Sequence, residues 1–419
     1  MKLYEHQQRI IDEDPRACGL FLGTGSGKTR TALMLARGST LVICPKTQRD
    51  DRNWERELSS IKNPHHIALT VLSKEEFRRD VADLEAFDTV IVDEAHTCLG
   101  VTPNTRQRKR VTIPRASQLF EALDWYVQTH KPGRIYLCTA TIVKSPMTVW
   151  GAAKILGKIK GGTMDSYLDF RSKYYVRLPM PGREVYAPLK SDEAKDALAA
   201  LVRKLGYVGR LEDYFDVPEQ TYRTIPIDLT EKQKKRLREL PLEFPDPIVL
   251  LGKKLQVENG VLAGDEFAKP EEFENGKIEK ILELAEEFPK MIIFAKYTAQ
   301  IDQIVAALNK AGHFAFPMTG KTDNRGHVIE TMNKRTEGVF VVQAQISAGW
   351  ELPTYPVMVF ASRTYSYVDY VQAIGRIQRA NNIKKNLYIN LVVRGGIDQA
   401  VDNSLVNKQD FDERIYLNV

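Results

Sequence analysis

Cysteine is scarce in this chain, with Cys18, Cys44, Cys98 and Cys138 the four among 419 residues. None is spaced as C-x-x-C and no histidine cluster accompanies them, which excludes a recognisable zinc pattern or disulfide framework. Three of the four lie in or beside apolar runs, as small buried hydrophobes of a reducing compartment do. No apolar run approaches the ~18 residues of a membrane span, and the first residues, Met1 to Gln7, carry no apolar leader core. The expectation is a cytoplasmic protein without a membrane partner. Repeats and low-complexity tracts are lacking too. So is a strong charge of one sign: 60 Lys+Arg against 54 Asp+Glu leave +6, a balance compatible with a polyanionic partner but too small to identify one.

What is present is ordinary globular composition and an alternating pattern. Apolar residues make up 43% and charged residues 27%, and the length suits two domains of roughly 200 residues. In the first half, apolar runs near 19–22, 40–44, 67–72, 88–92 and 134–138 alternate with helical patterns starting near Lys28, Thr47 and Lys74. In the second, runs near 290–295, 338–343, 356–360 and 386–392 alternate with helices near 277–287, 298–311, 323–335 and 366–375. Such alternation predicts α/β domains with doubly wound parallel sheets. The stretch 160–275, interrupted by many prolines, is less regular. It reads as short helical insertions over 164–175 and 231–240, then a strand over 220–229. A boundary near 215 divides domains 1–215 and 216–419.

Chemistry concentrates in five short stretches. Gly23-Thr24-Gly25-Ser26-Gly27-Lys28-Thr29 follows the strand Gly19 to Leu22 and opens a helix. Glycines there let backbone N–H groups face phosphates at a helix N-terminus, with Lys28 reaching the β- and γ-phosphates and Thr29 supplying a hydroxyl to Mg²⁺. Asp93, ending the run Thr89 to Val92, is placed to reach the same ion, and Glu94 follows as base for the attacking water. In a parallel sheet, ligands bind at the carboxyl ends of strands, where Gly23 to Gly27, Asp93 and Thr139 all fall. The second half has no such loop but carries Gln372, Gly375, Arg376, Gln378 and Arg379. Arg376 and Arg379, three apart on a helix, share a face and are candidates to stabilise charge on a transferring phosphoryl group.

Together these stretches resemble a superfamily 2 helicase, closest to the Snf2-like translocase branch, and the resemblance covers nearly the whole chain. Leu3, His6 and Gln7 resemble the adenine-reading Q motif. Leu41 to Pro45, continuing to Asn53-Trp54, resembles motif Ia, and Asp93-Glu94-Ala95-His96 is similar to a DEAH motif II. Thr139-Ala140-Thr141 resembles motif III, Ile292 to Tyr297 motif IV, Ser347 to Leu352 motif V, and Gln372 to Arg379 motif VI. Three departures stand out: Leu22 replaces the phosphate loop's first glycine, Glu351 stands where motif V has Asn or Asp, and Thr139-Ala140-Thr141 replaces Gly-Thr-Pro. The resemblance implies two tandem RecA-like domains, ATP and Mg²⁺ as cofactors, and an ATP-dependent DNA helicase or translocase. It also implies that His96, Thr139, Thr141, Gln372 and Gln378 couple nucleotide to movement.

The alternatives in activity are an RNA-stimulated ATPase and a motor subunit that delivers a nuclease or recombination partner. The compact size suits a phage or mobile element, with a monomer acting in the cytoplasm or at the nucleoid on single-stranded, duplex or branched DNA. Candidate strand contacts are Lys46, Lys296, Ser347 and Trp350, together with a cationic segment: Arg106, Arg108, Lys109, Arg110 and Arg115, flanked by Pro103 and Pro114. That segment is expected to be an exposed loop, its cations tracking phosphates.

Overall fold

The structure, a computed structural model, describes residues 3–61, 65–108, 111–159, 164–179, 184–189, 191–264, 270–346, 350, 352–377 and 385–407. Two compact units divide the chain, Met1–Phe215 and Asp216–Val419. Among the described residues no helix is long and apolar enough to cross a membrane.

The first unit is built on a six-stranded, wholly parallel sheet. Its strand order is Gly206–Gly209, Ala17–Leu22, Arg134–Cys138, Thr89–Asp93, Ser39–Cys44, Ala68–Ser73. The strands' period of two sorts their apolar residues onto opposite faces. Leu41, Ile43, Val90, Val92 and Leu137 pack with Phe77, Tyr126 and Trp150 on one side. Val42, Cys44, Ile91, Tyr136 and Cys138 pack with Ile10, Leu33 and Trp54 on the other. A sheet apolar on both faces needs helices on both, which is the doubly wound arrangement. All four cysteines are buried in this unit, and burial pushes every thiol up, Cys18 to about 12.

The second unit repeats the plan. Its parallel order is Thr221–Ile227, Leu387–Val393, Val357–Phe360, Lys290–Ala295, Gly338–Gln343, Ala315–Met318. Ile293, Val339, Val341 and Val359 pack on Ile281, Ile301 and Ile304. Ile292, Phe294, Phe340 and Met358 pack on Trp350, Tyr355 and Ile377. The fold class is therefore α/β with two tandem parallel sheets.

The structure corrects the sequence reading of the fold in six places. Gly206–Gly209 and Ala315–Met318 are edge strands that no apolar run announced. The irregular stretch also contains the helices Asp192–Leu205, with Ser191 as N-cap, and Pro247–Glu258, capped by Asp246 before a proline at its first position. Pro241 sits in the last turn of the helix Glu231–Glu243 rather than breaking it before that turn. The cationic segment is a ribbon, not a loop: Val101–Arg108 and Val111–Ala116 pair antiparallel with Arg108 opposite Val111. Pro103 and Pro114 lie within its strands, where an isolated two-stranded ribbon tolerates a missing N–H.

Candidate nucleotide site

The residues expected to form a phosphate loop leave the Ala17–Leu22 strand and enter the helix Lys28–Leu35 through Gly27, whose φ of 83° is left-handed. A side chain there would also strike the Gln7 amide, since a Cβ would lie 2.3 Å from Gln7 Nε2. Ser26 is fully buried, its Oγ donating to Gly23 O (2.6 Å), and Gly23 N donates to Gly209 O (2.8 Å) on the edge strand. Lys28 Nζ lies over the loop and donates to Leu22 O and Gly23 O (2.8 and 3.0 Å). Thr24, Gly25 and Thr29 are partly exposed on the same turn.

Beneath the loop, the helix Glu5–Glu13 acts as a brace. His6 Nε2 hydrogen-bonds Ser26 O (2.9 Å), and its ring stacks on Tyr214 with centroids 3.9 Å apart. Gln7 also braces the loop. Its amide donates to Gly27 O (3.1 Å) and Thr31 Oγ1 (3.4 Å) while its Oε1 accepts from Tyr4 N (2.9 Å). At 1% exposure it supports the loop from below, with both amide protons and one lone pair of its Oε1 engaged there.

The carboxylates stand two strands away. In sheet order, the phosphate-loop strand, the strand ending at Cys138 before Thr139, and the strand ending at Asp93 are consecutive, so all three functional ends share one edge. Asp93 is buried and its Oδ1 accepts from Glu94 N (2.9 Å). Burial, then the charge of Glu94, pushes its carboxyl up to about 6. Glu94 adopts a left-handed φ of 44°, uncommon for a side chain of its size. Its carbonyl fixes that conformation by accepting from Thr97 N, Thr97 Oγ1 and Lys74 Nζ at 3.1, 2.9 and 3.1 Å. The Glu94 Oε2 atom is buried without a hydrogen-bond partner, a rare and costly state outside functional sites.

His96 Nδ1 hydrogen-bonds Thr139 Oγ1 (2.8 Å), which also accepts from Thr141 N (3.2 Å). The His96 ring also lies 3.5 Å from Glu94 Oε2. This is a close approach of a neutral imidazole, not an ion pair, because burial lowers His96 to about 4 against the opposing pull of Glu94. Thr139 and Thr141 are thereby tied to the carboxylate turn. Sequence reasoning missed Lys74, a buried lysine beneath that turn, and Tyr214. Lys74 was signalled only by the capping box of Ser73 and Glu76 that starts its helix.

In the second unit, Gln372 and Arg376 are buried. The helix Tyr367–Ile374 ends before Arg376, whose Nε donates to Gln372 O (2.9 Å) and Nη1 to Trp350 O (2.8 Å). Arg376 therefore knits its own unit together; the helical face expected for it with Arg379 involves a residue outside the described ones. Trp350 is corrected: at 6% exposure it lies near Phe294 and Phe340, its Nε1 donating to Ile346 O (2.7 Å), and offers no face to a base. Ser347, Gln378, Arg379, Lys109, Arg110 and the side chain of Arg108 lie outside the described residues. Lys46 is exposed, one residue beyond Pro45 at the end of the Ser39–Cys44 strand. Lys296 directly follows the Lys290–Ala295 strand, its ammonium 3.8 Å from the Tyr365 ring centroid.

Residues 276–381, all within the second unit, match the family model of the helicase conserved C-terminal domain. Among solved structures, the chain is similar to the Sulfolobus solfataricus SWI2/SNF2 ATPase core in complex with dsDNA. The two are 17% identical over 97% of this chain and 91% of that one, with a TM-score of 0.40. No curated protein matches the chain.

Proposed function

We propose that the chain is an ATP-dependent DNA helicase or translocase. One observation carries the reading: a phosphate loop, a buried Asp93 and a Glu94 with an unpartnered carboxylate oxygen meet along one edge of a parallel sheet, in a chain whose other unit matches a helicase C-terminal domain.

ATP takes the loop from Gly23 to Thr29, with Lys28 exchanging its carbonyl partners for the β- and γ-phosphates. The donor set also fits a magnesium ion, since the Asp93 carboxyl is held up by burial and by Glu94, a penalty a dication would offset. Thr29 and Asp93 would hold that ion, which when bound supplies charge neutralisation at the phosphates. Glu94 Oε2 accepts the proton of the attacking water, and its position is fixed by the strained but well-anchored turn. His96 stays neutral and reports the state of that turn to Thr139 and Thr141. Arg376 and Arg379 are the candidates to stabilise charge developing on the transferring phosphoryl group. Hydrolysis drives movement because nucleic acid is gripped with different affinity in the ATP and ADP states.

The test is ATP hydrolysis by wild type and Lys28→Ala with single-stranded, duplex, forked and four-way-junction DNA and with RNA. DNA-stimulated turnover abolished by the substitution supports the reading. Stimulation by RNA alone moves the protein to the RNA class, and turnover in Lys28→Ala overturns the site.

A further inference from the structure

The ribbon of residues 101–116 has no part in the nucleotide site, yet the structure builds it with care at its base. Tyr167, fully buried and edge-on to Trp150, donates a three-centre hydrogen bond to Thr102 O and Asn104 O (2.8 and 2.9 Å). Arg171 donates to Pro103 O (3.2 Å). These bonds hold the irregular stretch between the pairs Val101 with Ala116 and Thr105 with Pro114. Beyond them the ribbon is regular, with Arg106 opposite Ile113. Strand periodicity then sorts its side chains: Arg106, Ile113 and Arg115 share one face, and Thr105, Thr112 and Pro114 share the other. Both arginines are exposed.

We infer that this ribbon is a phosphate-backbone contact of the first unit, with Arg106 and Arg115 on its binding face, and that Glu121 restrains it. This rests on the nucleic-acid reading above. Five cations between residues 105 and 115, with no acidic residue among them, complement a polyanion. Glu121, in the first turn of the helix Gln118–His130, pairs with Arg106. That ion pair is solvent-accessible on both sides, so it contributes little to the fold and a phosphate can displace it. In the unbound protein Glu121 occupies the guanidinium that a phosphate would take. It sets the affinity of the contact without touching the nucleic acid.

The experiment measures binding of two unrelated labelled duplexes and a labelled single strand to the full chain by fluorescence anisotropy, from about 50 to about 200 mM salt. The combined variant Arg106→Ala/Arg115→Ala should weaken binding to both duplexes equally and flatten the log–log salt slope by about two units, one per arginine. Its ATP hydrolysis without nucleic acid should be unchanged. Glu121→Gln should tighten binding several-fold, which a merely structural ion pair would not do. Steep salt-dependent binding by wild type with unaltered variants would overturn the ribbon contact and leave the helicase reading standing, as would weaker binding by Glu121→Gln. Absence of any nucleic-acid binding by wild type would overturn both.

Discussion

Lys277 offers the sharpest test of what holds the second unit together. It is 1% exposed at the start of the helix Gly276–Glu287, which Asn275 caps. Its three ammonium protons are all placed, on Asn259 Oδ1 (2.7 Å), Ala361 O (2.6 Å) and Asp398 Oδ2 (2.6 Å). Asp398 is buried too and otherwise accepts from Val393 N (3.2 Å). Lys277→Met keeps the chain's volume but leaves a buried carboxylate without its counter-charge, which costs about 3 to 5 kcal/mol. Against a domain stability of about 5 to 15 kcal/mol the effect is large. Adding Asp398→Leu removes the stranded charge and leaves two unpaired backbone groups, Ala361 O and Val393 N, at about 1 kcal/mol or more each. The double variant should therefore recover part of the loss. Native-state hydrogen exchange read by mass spectrometry separates the units: protection should fall by roughly a thousandfold in peptides from 290–295 and 357–360. Peptides from 39–44 and 89–93 should be unaffected. A single variant costing under about 1 kcal/mol, or a double variant less stable than the single, would refute the assignment of the stability to charge pairing.

In the first unit, Glu94→Gln should abolish ATP turnover while retaining nucleotide affinity, because the residues proposed to hold phosphate and metal remain; single-turnover hydrolysis alongside equilibrium binding of labelled ATP checks both. Asp93→Asn should raise the unfolding midpoint at pH 7. The native carboxyl titrates near 6 against 3.8 in a free chain, so wild-type stability falls as pH rises from about 4 to 6, and the advantage of the variant should vanish as pH drops through that window. Denaturant melts at pH 4, 5, 6 and 7 decide it, and a pH-independent difference would contradict the burial argument. Gln7→Leu should weaken ATP binding through a loosened loop while leaving adenine over guanine preference unchanged, measured by competition with GTP.

Much of this architecture was legible because strands buried on both faces read as uninterrupted apolar runs. The runs at 134–138, 290–295 and 338–343 carry Ile, Leu, Val and Phe and have the same bounds in the structure. The missed strands failed for identifiable reasons. Gly206–Gly209 has glycine at both ends because it packs against the next backbone, where a Cβ on Gly206 would lie 2.0 Å from Gly19 O, so it carries almost no hydrophobic signal. Ala315–Met318 contains Pro317, which argues against a strand unless the strand is at an edge, as this one is. At the site, the residue types of the phosphate loop and of Asp93-Glu94 could be read from their order. The direction of Gln7 and the inward turn of Arg376 could not, because a motif fixes a residue's type and not which of several nearby carbonyls its side chain meets. The inward direction of Lys74 was illegible for the same reason, although the start of its helix was not: its partners Glu94 and Thr97 come from a different strand end.

The buried thiols have a practical consequence. Cys18, Cys44, Cys98 and Cys138 all belong to the first unit, are shielded from solvent, and are held protonated well above neutrality, while residues 216–419 contain no cysteine. At pH 7 the natural chain should be almost inert to maleimides. One cysteine introduced at an exposed position in each unit would then accept a pair of dyes with little background. The spacing of the two units could be followed by energy transfer through the ATP cycle, in the native protein and without first removing a single residue of its own.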